Sequence, residues 1–304
     1  MKTYKPTSVT DLSARYPYSA IVNRADFLWP QDKRLAVYLG FNMEHFSFGE
    51  GLGANLGPVS KQPDVLNYMW RDYGNRVGVW RCLDLFDQLN MPTGALINTA
   101  LYDYCPEVIQ AFVQRGDELI GHGHTNSERQ SDMSTLDELD LLKYCKSRIQ
   151  QESQQNVTGW LSPWISESIQ TPDLLSEAGY KYTLNWCLDD QPLLVKTLHA
   201  EPLWSIPYPQ ELNDIPMIVH RQMDAKDFAQ MIIDQFDEMM EQTQNVKNPQ
   251  SLVMGIALHP YIVGQPYRLR HLRRALKHIV SFRQDIWLTT PGQIHQHMRS
   301  LSPQ

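Results

Sequence analysis

Short apolar runs, each followed by a longer amphipathic run, recur along most of this chain, and that alternation constrains its fold more than any other feature. The strand-like runs are Leu35–Phe41, Thr93–Asn98, Glu118–Gly121, Val157–Leu161, Tyr180–Leu184, Leu252–Leu258 and Ile286–Thr289. Each is too short for a helix. Helical spacing of apolar residues marks Asn75–Leu89, Pro106–Gln114, Ser134–Gln150, Thr171–Ala178, Ala225–Gln244, Leu269–Arg283 and Pro291–Leu301. Ser134 with Asp137 forms a capping pattern, and Thr171-Pro172 puts proline at a first helical position. Gly116 and Gly179 suit helix C-termini. Strands alternating with helices imply parallel βα units, and their even spread favours an incomplete or distorted (β/α) barrel over an open doubly wound sheet. Residues 46–70 and 191–224 are too long for ordinary connections and are expected to be lids, subunit contacts or extra hairpins. With 1–30 as an N-terminal extension, the chain is expected to form a single barrel domain over 1–304.

The 27 Lys and Arg against 34 Asp and Glu give a net charge of −7, which argues against a nucleic-acid partner. The most basic stretch, Arg268–Lys277, has helical periodicity with its charges on a solvated face. No signal-like apolar core and no run of about 18 apolar residues occurs, so the expectation is a cytoplasmic protein with no membrane contact. The 4 cysteines are scattered without a CxxC pair and read as free thiols. Gly49–Ala54 spells GxGxxA, but no strand leads directly into it and no helix follows, so it is not a dinucleotide site.

In a parallel barrel the chemistry collects at the C-terminal ends of the strands. The first strand runs into Asn42-Met43-Glu44-His45, the third into His122-Gly123-His124-Thr125-Asn126-Ser127-Glu128, and the fourth into Ser162-Pro163-Trp164. The fifth leads to Trp186 and Asp189-Asp190, and the strand from Leu252 to His259. A carboxylate, histidines and amides at the mouths of several strands can supply a general base, a general acid and groups that polarise a carbonyl. The remaining histidines, including His220, read as surface or helix residues.

The ordered segments NxEHF (42–46), GHGxTNSER (121–129), WLSPWxSE (160–167), TPDLLSEAGY (171–180), DDQP (189–192) and LHPYIxGQPxR (258–268) resemble the polysaccharide deacetylase (NodB-like) superfamily, in particular its branch of metal-independent allantoinases and cyclic-imide-hydrolase-like proteins. The resemblance implies a distorted (β/α)7 barrel that hydrolyses a carbon–nitrogen bond other than a peptide bond. In metal-dependent members an aspartate pair closes the first strand. Here the pair maps to Glu44 and His45, the preferred register, or to Asn42 and Glu44. The histidine pair maps to His122 and Asn126, or to His124 and Glu128, so one histidine is missing either way. Leu161-Ser162-Pro163 stands where the family's motif has arginine before the proline; His259 is retained.

The resemblance thus implies Glu44 as base, His259 as acid and His122 as a third catalytic residue. Asn42, Asn126, Ser162, Trp164, Trp186, Asp189, Asp190 and Asn213 are the expected substrate contacts, with Tyr208 and Asp214 available beside them. His45, His122 and Glu128 are the candidate ligands if a divalent metal binds weakly, zinc being the candidate ion; the other expectation is no cofactor. The expected substrate is a small amide, imide or ureide, and the expected assembly a homo-oligomer, as in tetrameric relatives. Two rival readings are a metal-dependent polysaccharide or peptidoglycan N-deacetylase and an inactive ligand-binding barrel.

Overall fold

The computed structural model describes residues 15–199, 201–245, 247 and 249–301. Positions 1–14 of the expected N-terminal extension lie outside the described residues. The strands are β1 (Leu35–Met43), β2 (Thr93–Ile97), β3 (Glu118–Gly121), β4 (Gly159–Trp160), β5 (Tyr182–Thr183), β6 (Leu193–Val195), β7 (Leu203–Ser205), β8 (Leu252–Leu258) and β9 (Trp287–Thr289). They form one sheet in the order β6-β7-β5-β4-β3-β2-β1-β8. All pairings are parallel except the β6–β7 hairpin. One edge of β1 is taken by β8 along Leu35–Phe41, and the other is shared, β9 pairing Ala36–Tyr38 and β2 pairing Leu39–Met43. The curled sheet is the expected (β/α) barrel, left open between its edge strands β6 and β8 except for an isolated bridge between Asn213 and Ala257.

Helices α1 (Val65–Tyr73), α2 (Val79–Leu89), α3 (Leu101–Tyr104), α4 (Pro106–Arg115), α5 (Thr135–Ser153), α6 (Thr171–Glu177), α7 (Ala225–Thr243), α8 (Pro260–Val263), α9 (Pro266–Ser281) and α10 (Pro291–Leu301) accompany the strands. Ser134 accepts from the Asp137 amide at the start of α5, and Gly116 closes α4 in a left-handed conformation, φ 74°. Two expectations change. The helix anticipated from Asn75 begins at Val65, because a π-helical turn over Gly74–Gly78 joins α1 to α2. Within 191–224 lies β7, a barrel strand paired with β5, besides the expected hairpin. No helix among the described residues is long and apolar enough to cross a membrane. Cys187 is exposed and Cys105 half-buried, while Cys82 and Cys145 are the buried thiols.

Strand alternation divides the apolar residues into two layers. On β1, Ala36 and Tyr38 belong to an inner cluster with Ile120, Leu161, Val253 and Ala257, while Leu35, Val37, Leu39 and Phe41 belong to the outer cluster under the helices. Even positions of β1 and β3 and odd positions of β8 therefore face the barrel interior. Continued past the strand ends, this parity points Asn42, Glu44, His122 and His259 inward and His45 outward. Close packing fixes the last of these: α8 lies so near the π-helical turn that a Cβ on Gly78 would stand 2.1 Å from the Pro260 carbonyl oxygen.

Candidate active site

The inward-facing strand ends surround a cavity of about 340 Å³ lined by Asn42, Glu44, His122, Asn126, Ser162, Trp164, Asn213 and His259. Phe46, Ala54, Leu161, Ile165, Tyr208, Gln210, Ile215, Pro216, His220 and Tyr261 complete the wall. No lysine or arginine lines it.

Glu44 is at its centre. Asn126 Nδ2 donates to Oε1 at 2.6 Å and the Tyr261 hydroxyl donates to Oε2 at 2.7 Å, so both carboxylate oxygens are held. The Asn75 amide holds the Glu44 backbone carbonyl at 3.0 Å. His259 Nε2 stands 3.5 Å from Oε1. Its Nδ1 lies 2.6 Å from Asp214 Oδ1, and its backbone N–H donates to Asp214 Oδ2 at 2.8 Å. Asp214 is fully buried, and both its oxygens serve this one histidine.

The electrostatics follow from that geometry. Burial alone lowers a histidine, but the Asp214 and Glu44 carboxylates outweigh it and raise His259 to about 10. Burial alone raises a carboxylate, but the neighbouring histidines, His259 foremost, together outweigh it and hold Glu44 well below its usual range. At neutral pH the site contains an ionised carboxylate beside an imidazolium, which are the starting states of a base and an acid.

His122 Nδ1 lies 2.7 Å from the Leu161 carbonyl oxygen, which can only accept, so Nδ1 carries the proton. Its Nε2 has no hydrogen-bond partner and stands 3.7 Å from Glu44 Oε1. Around it, Asn98 bridges the His122 backbone carbonyl and Asn126 Oδ1, and Asn126 N–H donates to the His45 carbonyl at 2.8 Å. Trp164 donates its indole N–H to the Asn126 carbonyl at 3.0 Å. Trp164 and Ile165 both have positive φ, 62° and 52°; for a β-branched residue such as Ile165 this is a strained backbone, and it lies on the cavity wall.

Several expected residues lie elsewhere. Trp186 donates its indole N–H to Glu167 at 3.0 Å, behind Ser162 and Asn185. Asp189 is ion-paired to Arg24 at 2.6 Å, and with Asp190 it lines a different cavity of about 440 Å³ at the open side of the sheet. The chain turns outward after β5, so following a strand does not bring these three to the cavity.

The expected metal ligands do not fit a metal site. His45 faces outward and its ring lies 4.8 Å from that of Tyr104. Glu128 does not line the cavity. Asn126, in place of the missing histidine, points its amide nitrogen at Glu44, and its oxygen accepts from Asn98. Among the described residues no group of three or more His, Cys, Asp or Glu is arranged to hold a metal ion. Of the two histidine-pair registers, His122 with Asn126 shares the cavity; of the two aspartate-pair registers, Asn42 with Glu44 does, and not the preferred Glu44 with His45, because strand parity turns His45 outward. Tyr261 and His220, absent from the expected site, line it. The proximity of Tyr261 to His259-Pro260 was the one available signal for it.

No known family's profile matches the chain. A putative polysaccharide deacetylase from Schizosaccharomyces pombe is 26% identical over 254 residues, 76% of this chain and 76% of that protein. Among solved structures, PuuE allantoinase superposes with a TM-score of 0.82 at 23% identity, over 95% of this chain and 99% of that one. In sequence and fold the chain is similar to members of the polysaccharide deacetylase (NodB-like) superfamily. Another solved structure, a probable polysaccharide deacetylase from Pseudomonas aeruginosa PAO1, superposes at 0.80 with 24% identity, over 97% of this chain and 99% of that one. The NodB-like barrel accounts for the strand order and for the site at the strands' C-terminal ends.

Proposed function

We propose that this chain is a hydrolase of non-peptide carbon–nitrogen bonds, allantoinase-like or cyclic-imide-hydrolase-like, acting on a small uncharged amide, imide or ureide. One observation carries this reading: an ionised Glu44 and a protonated His259 lie 3.5 Å apart in a cavity with no lysine or arginine on its wall. A carboxylate or phosphate substrate would meet Glu44 without a countercharge of its own.

Glu44 takes a proton from water as the oxygen attacks the carbonyl carbon, and the carbonyl π pair moves onto its oxygen. Collapse of the tetrahedral adduct breaks the C–N bond, and His259 delivers its Nε2 proton to the leaving nitrogen. Asp214 keeps the His259 ring oriented through Nδ1. Asn126 and Tyr261 fix the carboxylate so that its remaining lone pair faces the cavity. Ser162, Asn42 and Asn213 are the polar groups proposed to meet the substrate, with Trp164 and Tyr208 as flat walls.

Purified protein assayed with allantoin, hydantoins, succinimide, dihydropyrimidines and N-acetylated sugars tests the reading. Ring opening that survives chelator is the expected result. Acetate release dependent on added zinc supports instead the deacetylase chemistry named for the fission-yeast relative. The expected homo-oligomer is supported by exposed apolar side chains on one segment, Phe48, Val59, Val65, Leu66 and Met69, and light scattering measures it.

A further inference from the structure

We propose that His122 is the second anchor of the attacking water, its bare Nε2 and Glu44 Oε1 together accepting both of that water's hydrogens. This rests on the hydrolase reading above and assigns a role within the same site.

The Leu161 carbonyl has no hydrogen to give, so the 2.7 Å contact places a proton on Nδ1, and in the proposed site the other nitrogen, Nε2, presents its lone pair to the cavity. The side chain is 3% exposed and Nε2 is unpartnered, an arrangement that costs stability unless a donor arrives. Across the cavity, 3.7 Å away, stands another acceptor, Glu44 Oε1. Two acceptors that close call for a donor with two hydrogens. A water about 2.8 Å from each would see them roughly 80° apart, so each hydrogen bond bends only modestly from linear.

Other protein donors are already committed. The Asn126 amide and the Tyr261 hydroxyl both point at the carboxylate, and the His259 proton is needed for the leaving nitrogen. A substrate carbonyl cannot bond to a bare nitrogen, which removes His122 as a carbonyl holder. With both hydrogens held, the water turns a lone pair away from the two anchors, toward a carbonyl bound over the site. On attack, the proton on the Glu44 side transfers to Oε1, while the hydrogen held by His122 stays on the adduct as its hydroxyl. His122 thus orients the nucleophile without changing its own protonation.

Three measurements test this. NMR of the full chain with ¹⁵N-labelled histidine is expected to show a His122 ring protonated at Nδ1 and hydrogen-bonded as an acceptor at Nε2; a proton on Nε2 overturns the proposal. A crystal structure at atomic resolution is expected to show a water within hydrogen-bond distance of both Nε2 and Oε1; an ion there, or no water, overturns it. With the substrate identified from the panel, His122→Phe is expected to lower kcat by about 10- to 100-fold at unchanged KM, and His122→Gln, which keeps an acceptor oxygen, to recover part of that. A raised KM with kcat intact makes His122 a substrate contact and overturns the proposal. Thermal melting of both variants separates these effects from misfolding. A chain that opens none of the ring compounds refutes the hydrolase reading, while the tautomer and water measurements still decide the anchor.

Discussion

The barrel interior buries one glutamate at each end, and the two are held in opposite ways. At the C-terminal end Glu44 accepts from Tyr261 and Asn126. At the N-terminal end Glu118, the first residue of β3, accepts from the Tyr182 hydroxyl at 2.6 Å and from the Gly292 amide in the first turn of α10 at 2.8 Å. Both carboxyl groups are buried, and both have a tyrosine partner. Burial pushes Glu118 up, with its hydrogen bonds only partly offsetting it, whereas the His259 charge holds Glu44 down. Both acids accept hydrogen bonds of similar length from a tyrosine; the difference lies in the histidines beside Glu44, His259 foremost, which Glu118 lacks. The same contrast separates a structural carboxyl, joining β3 to α10, from one prepared for proton transfer.

The largest test of that contrast is Glu44→Gln against Glu118→Gln. The first is expected to lower kcat/KM by about 10²–10⁴-fold, the second to leave it within a few-fold, both read by steady-state kinetics on the substrate found in the panel. Asp214→Asn comes next. It removes a carboxylate that raises His259 to about 10, so the alkaline limb of kcat/KM should move down toward the ordinary histidine value of 6.5. Activity at alkaline pH should then fall about tenfold or more, and a pH–rate profile with an unmoved limb would remove His259 from the acid role. Tyr261→Phe takes one donor from Glu44 and should move the acidic limb up toward the ordinary carboxylate range, with a several-fold loss at neutral pH.

The smallest effect is on stability alone. Glu118 has a folded pKa above its unfolded value of 4.5, so the folded state binds the extra proton. Stability is then greatest below pH 4.5 and falls as pH rises toward the folded pKa. Glu167, raised to about 7 by burial, loses stability over the window from 4.5 to 7 in the same sense. Glu118→Gln and Glu167→Gln should each flatten the decline of Tm with pH, measured by scanning calorimetry. Glu44 has the reverse sign, its contribution being lost as pH falls.

Legibility in the sequence tracked strand parity. Glu44, His122 and His259 could be found because each extends a strand whose apolar run is visible, and strand period carries their side chains inward. Trp186, Asp189 and Asp190 come several residues after β5, where the chain departs from the barrel and Arg24, far away in sequence, captures Asp189. Nothing local announces that partner. The strand β7 is three residues long and lies inside a segment without periodicity, so it was hidden within an expected insertion. Tyr261 was hidden because an aromatic after His-Pro reads as packing; only the short α8, pressed against the glycines of the π-helical turn, directs its hydroxyl at Glu44.

The opening between the edge strands β6 and β8 is spanned by irregular chain that accepts single backbone bonds from β8, Val253 N–H donating to the Asp190 carbonyl and Ala257 N–H to the Leu212 carbonyl, each 2.8–2.9 Å. A barrel closed by a full ladder has its girth set by strand number and stagger. Here girth is set instead by a panel of irregular chain, 206–214, which delivers Tyr208 and Asn213 to the cavity and Asp214 to His259. Lengthening or exchanging that panel would resize the chamber while β1, β3 and β8 keep Glu44, His122 and His259 in place, so new substrates can be fitted without rebuilding the catalytic frame.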